Sequence, residues 1–374
     1  MRVIAHTVAT VLPVPVLLPL DTSSGPDFVD GLRRAWDGGD AVLPVDHRLP
    51  AGLQRSLVAA LGGGGPVEEG DALVVATSGT TGEPRGVVLT HDAVRASALA
   101  TSARLEVDPA ADCWLSVLPL GHVGGLSVVT RALVTGTPLT FDPADSRATL
   151  TAMVPTQVER ADVSRFRRVL VGGSADWGAA QRPANVVHTY GMTETGSGVV
   201  YDGLALDGVS VRVDPADGSG GGEIYLRGPM LLRGYRDGTV PLDADGWLPT
   251  GDAGRLAADG RLHVDGRMAD VIVTGGEKVW PDAVERVLRR CPGVADVAVA
   301  GRPDPEWGQR VVAWVVPTAG GGPVGPVGLV ELDGLRDAVK AELPAWCAPK
   351  ELVLVESLPK TALGKVQRAR LRSR

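Results

Sequence analysis

Thr77-Ser78-Gly79-Thr80-Thr81-Gly82-Glu83-Pro84-Arg85-Gly86-Val87 follows directly on the apolar run Ala72 to Ala76, and this junction decides how the chain is read. The run predicts a buried strand. The three glycines behind it let the backbone turn tightly and expose its N–H groups. The hydroxyls of Thr77, Ser78, Thr80 and Thr81 add donors, so the segment is suited to wrap phosphate oxygens. A flexible polar hairpin is the rival reading. The segment is not a Walker A loop, because the Lys-Ser/Thr ending is missing. Further along, the spacing predicts a helix over Asp92 to Arg104 after Thr90, a strand over Trp114 to Leu118, a helix over Leu126 to Val134 and a strand over Val169 to Val171. That alternation argues for an α/β sheet with crossover helices.

From Val209 to Arg227 the pattern changes to short strands with Gly-rich turns, the mark of a β subdomain. After about Asp265 comes a smaller α+β unit. Its first helix opens on Pro281, carries Asp282 in its first turn and places Val284, Val287 and Leu288 on one face. Ala295 to Ala300 and Val311 to Val316 read as strands, Thr318 to Gly328 as a loop, Leu329 to Leu343 as a helix and Leu352 to Val355 as a strand. The expected fold class is therefore α/β. A large N-terminal domain (residues 1–266) would hold the α/β sheets and the β subdomain, and a small mobile α+β domain (residues 267–374) would follow.

Composition narrows the function classes. A chain of 374 residues exceeds one compact core. Aromatic residues make up 4%, which leaves the core to aliphatic side chains. A formal charge of −7 argues against a nucleic-acid partner, which needs a basic face. Cys113, Cys291 and Cys347 are scattered and in no metal-ligand spacing, as expected of a reduced, cytoplasmic protein without structural zinc. Pro13, Pro15 and Pro19 interrupt the apolar stretch between Arg2 and Leu20, so a strand and loop are expected there and no membrane span. A homodimer is one possible assembly. All five lysines (Lys278, Lys340, Lys350, Lys360 and Lys365) lie in the last hundred or so residues while arginine is plentiful, so a retained lysine is a candidate for a place that needs a compact ammonium.

Four more segments carry candidate chemistry. In Thr189-Tyr190-Gly191-Met192-Thr193-Glu194-Thr195, Glu194 is a candidate Mg²⁺ ligand, since magnesium takes one or two carboxylates plus phosphates, and Tyr190 offers a flat face for a base. A surface turn is the rival reading. In Gly246 to Asp252, an Asp after a Gly turn suits the two hydroxyls of a ribose, though turn-stabilising Asp residues are common. In Val264 to Lys278, Arg267 is a candidate donor to ribose or phosphate, and Gly275-Gly276 permits close backbone approach of a ligand. In Pro359 to Arg368, a lysine in a Gly-containing turn can reach a phosphate, against the rival reading of a solvated basic tail.

In their order and spacing, from about Leu73 to Arg370, these segments resemble the adenylate-forming superfamily of acyl- and aryl-CoA synthetases, peptide-synthetase adenylation domains and luciferases. The resemblance implies ATP, Mg²⁺ and coenzyme A as ligands, with a small carboxylic acid as substrate. It implies that Thr77, Ser78, Gly79, Thr80, Thr81 and Gly82, with Arg85 in place of the usual lysine, cover the β- and γ-phosphates. Gly172, Gly173 and Ser174 would line the adenine pocket with Thr189, Tyr190, Gly191 and Met192. Glu194 would bind Mg²⁺, with Thr193 beside it, and Asp252 and Arg267 would hold the ribose. Lys365 would bridge the substrate carboxylate and the α-phosphate, offsetting the repulsion of two anions. His122 in Pro119-Leu120-Gly121-His122 would lie at the acyl pocket, and Gly121, replacing an aromatic, would enlarge it. Gly275, Gly276 and Lys278 resemble the pantetheine tunnel segment. Trp307 resembles a residue stacked near the coenzyme A adenine, against the rival reading of a core tryptophan. The hinge between two alternating domain orientations would fall at Arg267 to Asp270, where Ala269 replaces a common acidic residue.

Within the superfamily, residues 119–133 (PLGHVGGLSVVTRAL), 153–157 (MVPTQ) and 200–213 (VYDGLALDGVSVRV) resemble the o-succinylbenzoate–CoA ligases of menaquinone biosynthesis, short actinobacterial forms especially. Such a substrate carries two carboxylates. Ser127, Arg131 and Thr193 are candidates for the one that does not react, with a helix-surface charge as the rival reading of Arg131. A ligase for another aryl or acyl acid and a non-catalytic nucleotide-binding relative are the alternatives. The second is disfavoured by the joint presence of Glu194, Asp252, Arg267 and Lys365.

Overall fold

The structure, a computed structural model, describes residues 14–78, 84–172, 182–215, 221–318, 330–360 and 366–372. It forms two compact units. The first comprises Met1–Val211 with Leu226–Leu248, the second Arg212–Tyr225 with Pro249–Arg374.

Two sheets build the first unit. One runs Leu17–Asp21, Ala41–Val45, Asp71–Ser78, Pro84–Thr90, Gly234–Tyr235, parallel across the first three strands and antiparallel thereafter. The other has seven strands in the order Leu204–Ala205, Ser197–Tyr201, Val186–Met192, Arg168–Val171, Leu150–Met153, Trp114–Leu115, Leu139–Thr140. It is parallel from Val186–Met192 onward, as crossover connections require. The strand expected over Trp114 to Leu118 stops at Leu115. The chain is already turning toward Pro119, which has no N–H for a ladder.

Helix His91–Arg104 begins where Thr90 Oγ1 accepts the Ala93 N–H at 3.1 Å, a cap that contributes about 1 kcal/mol. Helix Val123–Thr135 ends on Gly136, whose φ of 69° is the left-handed stop that glycine adopts without strain. This second helix is apolar on every side. Leu126 and Val129 join the core of the first sheet with Val87 and Leu89, while Val128 and Ala132 join that of the second with Trp114 and Leu150. A helix clad on both faces leaves no wet side for its one charged residue, Arg131.

In the second unit, one antiparallel sheet orders Ser210–Pro215, Gly222–Arg227, Leu248–Leu256 and Leu262–Arg267. The other orders Glu277–Val279, Ile272–Thr274, Gly308–Pro317 and Val294–Asp304, with Glu351–Leu354 parallel to Gly308–Pro317. Helices Pro281–Leu288 and Leu332–Glu342 cover it through Val284, Val287, Leu288, Leu335 and Val339. The architecture is α/β with several sheets. Among the described residues, no helix is long and apolar enough to cross a membrane.

Candidate active site

The hydroxyl-rich segment begins at the end of the strand Asp71–Ser78, which pairs antiparallel with Pro84–Thr90. Thr77 pairs with Arg85 and Ser78 with Pro84, while Gly79, Thr80, Thr81 and Gly82 lie outside the described residues. At the foot of the hairpin Thr77 Oγ1 donates to Arg85 O at 3.3 Å. The neighbouring strand supplies Tyr235, paired with Val87 and hence diagonal to Arg85. The Arg85 guanidinium lies 3.6 Å from the Tyr235 ring centroid and reaches Asp237 Oδ2 at 3.2 Å. A planar guanidinium can stack in this way and an ammonium cannot, so the departure from lysine has a local reason.

Tyr235 then connects the hairpin to Glu194. Its hydroxyl donates to Glu194 Oε1 at 3.0 Å. Burial, and then the adjacent carboxylate, push the phenol up to about 12, so it stays a donor at any ordinary pH. Thr193–Thr195 form a single tight turn that presents Glu194. Thr195 is fully buried, accepts the Met192 N–H and donates to Ser197 O at 2.6 Å, while Leu232 N–H holds the Glu194 carbonyl at 2.8 Å. One carboxylate oxygen linked through Tyr235 to Arg85 fits Mg²⁺, which needs few protein ligands when phosphates supply the rest. Among the described residues no cluster of three His, Cys, Asp or Glu residues is arranged for a metal.

Thr189 to Met192 lie on the strand Val186–Met192 and so do not form the surface turn of the rival reading. Gly172 adjoins them, since a Cβ there would meet Thr189 Oγ1 at 3.1 Å. Gly191 faces Gly198 so closely that any Cβ would lie 2.3 Å from Ser197 O; only glycine fits. Gly173 and Ser174 lie outside the described residues.

His122 precedes helix Val123–Thr135, with Nε2 3.3 Å from Asp46 Oδ2. The expectation that Gly121 enlarges the pocket is corrected here. A Cβ on Gly121 would lie 2.8 Å from Asp46 Cβ, so the space is occupied by Asp46. The surface-charge reading of Arg131 is corrected as well. The residue is 2% exposed, its Nε and Nη1 have no hydrogen-bond partner among the described residues, and its guanidinium lies 5.7 Å from the Trp114 ring centroid. Burial depresses its pKa, with the Tyr201 phenol offsetting part of the effect. Ser127, one turn earlier and also buried, donates to Gly124 O at 3.1 Å.

In the second unit Asp252 and Arg267 are cross-strand partners, with Arg267 Nε 2.9 Å from Asp252 Oδ1 and Nη1 donating to Thr250 O at 3.0 Å. Gly275 and Gly276, at φ of 60° and 86°, form the two-residue turn of a hairpin in which Lys278 pairs with Val273. Trp307 is 41% exposed, which excludes the core reading. It packs on Gly275, where a Cβ would meet its ring at 2.8 Å, and Lys350 Nζ lies 3.3 Å from its ring centroid. Lys365 lies outside the described residues; of those flanking it, Lys360 and Val366 pair antiparallel, and Lys360 is bound to Asp296 at 2.5 Å. Arg368 is tied to Asp270, Asp282 and Glu285. Sequence reasoning missed Tyr235, Asp237 and Asp46.

The chain matches the model of AMP-binding enzymes over residues 64–236 and that of the AMP-binding enzyme C-terminal domain over residues 283–365. It is 37% identical over 384 residues to a probable 2-succinylbenzoate–CoA ligase of Mycobacterium tuberculosis, covering 92% of this chain and 94% of that one. It is 34% identical over 341 residues to the 2-succinylbenzoate–CoA ligase of Listeria monocytogenes, covering 81% and 70%. Its fold is similar to that of an o-succinylbenzoate CoA synthetase from Bacillus subtilis, solved in complex with an acyl-adenylate intermediate. The TM-score is 0.83 at 24% identity, over 97% of this chain and 89% of that one. On these matches the chain belongs to the adenylate-forming superfamily of AMP-binding enzymes.

Proposed function

We propose that this chain is an AMP-forming acid–CoA ligase acting on 2-succinylbenzoate, in the route to menaquinone. The observation that carries the adenylating chemistry is the continuous contact from the hydroxyl-rich hairpin through Arg85 and Tyr235 to Glu194. For the acid, the support is the names of the relatives together with a buried arginine that no protein carboxylate neutralises among the described residues.

In the first half-reaction a carboxylate oxygen attacks the α-phosphorus of ATP and pyrophosphate leaves. Thr77 and its neighbours, with Arg85, hold the β- and γ-phosphates. Gly172 and Thr189 to Met192 border the adenine, and Asp252 and Arg267 take the ribose hydroxyls. Glu194 would hold Mg²⁺, which would supply charge neutralisation at the phosphates, and Tyr235 keeps the Glu194 carboxylate aimed. Lys365 places an ammonium between the two reacting anions. In the second half-reaction the thiolate of coenzyme A attacks the acyl carbonyl and AMP departs. Gly275, Gly276 and Lys278 border the thiol's path, and Trp307 offers its exposed ring to the coenzyme A adenine. His122 lines the acyl pocket, and Arg131, with Ser127 and Thr193, holds the carboxylate that does not react. On the resemblance alone, Arg267 to Asp270, which lie within the second unit, are the hinge of the alternation. Three free cysteines are in keeping with a reducing, cytoplasmic setting.

The test is product formation with ATP, Mg²⁺, coenzyme A and a panel of acids. A coenzyme A thioester formed from 2-succinylbenzoate in strong preference to benzoate is expected. Equal turnover of unrelated aryl acids would assign the chain to another acid, and pyrophosphate release with none of them would leave only nucleotide binding. Lys365→Ala should abolish pyrophosphate release yet still form thioester from supplied acyl-adenylate; loss of both steps alike would contradict the division of labour.

A further inference from the structure

Asp46 directly follows the strand Ala41–Val45, and His122 directly precedes the helix Val123–Thr135. Gly121 is what lets them meet. A Cβ there would collide with Asp46 at 2.8 Å from its Cβ and 3.2 Å from its Cα. The carboxylate is 5% exposed and is held by its own neighbour. Arg48 N–H and Nε donate to Oδ1 at 3.0 and 2.9 Å, and Arg48 Nη2 donates to Oδ2 at 2.5 Å. Oδ2 also faces His122 Nε2 at 3.3 Å, an atom that is buried and has no aligned hydrogen bond among the described residues.

Asp46 and Arg48 are the charged groups among the described residues whose fields act on this imidazole. Burial first, and Arg48 secondarily, push its pKa below the ordinary histidine value, while Asp46 pulls the other way. The ring is therefore neutral near pH 7.5 and carries one N–H. An ionised carboxylate can only accept a hydrogen bond, so the proton belongs on the nitrogen that faces it.

We propose that Asp46 is a positioning residue that holds His122 in its Nε2–H tautomer, leaving Nδ1 as an acceptor for the acid pocket. The placement of this nitrogen at the pocket rests on the functional reading above; the tautomer itself does not. Substituting Asn at position 46 is informative. The Arg48 backbone N–H and Nε, at 3.0 and 2.9 Å, keep the remaining oxygen at the Oδ1 side; Arg48 Nη2 gives up its bond at the other side, and the amide N–H is turned toward Nε2. The ring must then accept there and carry its proton on Nδ1, the wrong-tautomer effect that an Asp→Asn change has beside a catalytic histidine.

The experiment is ¹⁵N NMR of the full chain labelled at histidine, with His122 assigned by loss of its signals in His122→Gln. The Nε2–H pattern is expected in the parent at pH 7.5 and the Nδ1–H pattern in Asp46→Asn. The KM for the acid should rise about tenfold, the scale of one hydrogen bond to a charged group, with kcat within about twofold. An Nδ1–H parent overturns the proposal without recourse to any variant, as does an identical tautomer in both proteins. A switched tautomer with unchanged acid KM would support the positioning role and remove His122 from the acid pocket.

Discussion

Arg131, in the long helix between the two sheets of the first unit, is 2% exposed, and the side chain of Arg368, in the short C-terminal helix, is 9% exposed. Their surroundings differ in kind. Burial works against the charge of Arg368, but Glu285, Asp282 and Asp270 more than compensate and raise its pKa. Its guanidinium lies 2.8 Å from Glu285 Oε1 and 3.1 Å from Asp270 Oδ2, is bound to Asp282, and also donates to Val299 O. Arg131 has an indole, a phenol and aliphatic side chains about it, and its pKa falls. A buried cation surrounded by protein acids is a joint: it fastens the turn Met268–Asp270, the helix Pro281–Leu288 and the helix Arg368–Arg372 to one another. A buried cation without an acid costs stability that the chain gains nothing from until an anion arrives. The same residue type is thus neutralised by protein acids in one place and by none among the described residues in the other.

The largest effect that tests this contrast is at the joint. Arg368→Met leaves the Asp270, Asp282 and Glu285 carboxylates crowded without their shared cation, and should lower the unfolding free energy by about 3–5 kcal/mol in chemical denaturation. A loss below about 1 kcal/mol would make the two arginines alike. The smaller test uses a third arginine, Arg48, whose hydrogen bonds hold the Asp46 carboxyl at about 2 against 3.8 in a free chain. Because that pKa is depressed, the stability it contributes is complete above about pH 4 and is lost as pH falls through 2. Acid denaturation of Asp46→Asn should therefore be flatter than that of the parent across this window. Parallel curves would show that the pair contributes nothing to folding.

What could be read from the sequence was whatever is local. The strand Asp71–Ser78, the Thr90 cap and the helix opening on Pro281 all depend on neighbours a few residues apart. Order and spacing then placed Glu194, Asp252 and Arg267 in the chemistry, and the structure pairs the last two across a ladder. Tyr235, Asp237 and Asp46 escaped because their roles come only from strand pairing and loop contact with residues far along the chain. No local pattern singles out a tyrosine in a two-residue strand. Arg131 was legible in part. Leu126, Val128, Val129, Ala132 and Leu133 leave helix Val123–Thr135 without a polar stripe, which already denies a surface to its arginine. Gly121 was misjudged for the opposite reason. A missing side chain reads as free volume until the segment that fills it, here Asp46, is seen.

The claim that Arg131 awaits the substrate's second carboxylate is tested most directly by acid-dependent ATP–pyrophosphate exchange in the parent and in Arg131→Met, with 2-succinylbenzoate and with benzoate. Exchange with 2-succinylbenzoate should fall about 100-fold in the variant, exchange with benzoate should change little, and the variant should be at least as stable as the parent. A variant that keeps the parent's preference for the dicarboxylate, or one that loses stability and both activities together, would contradict the account.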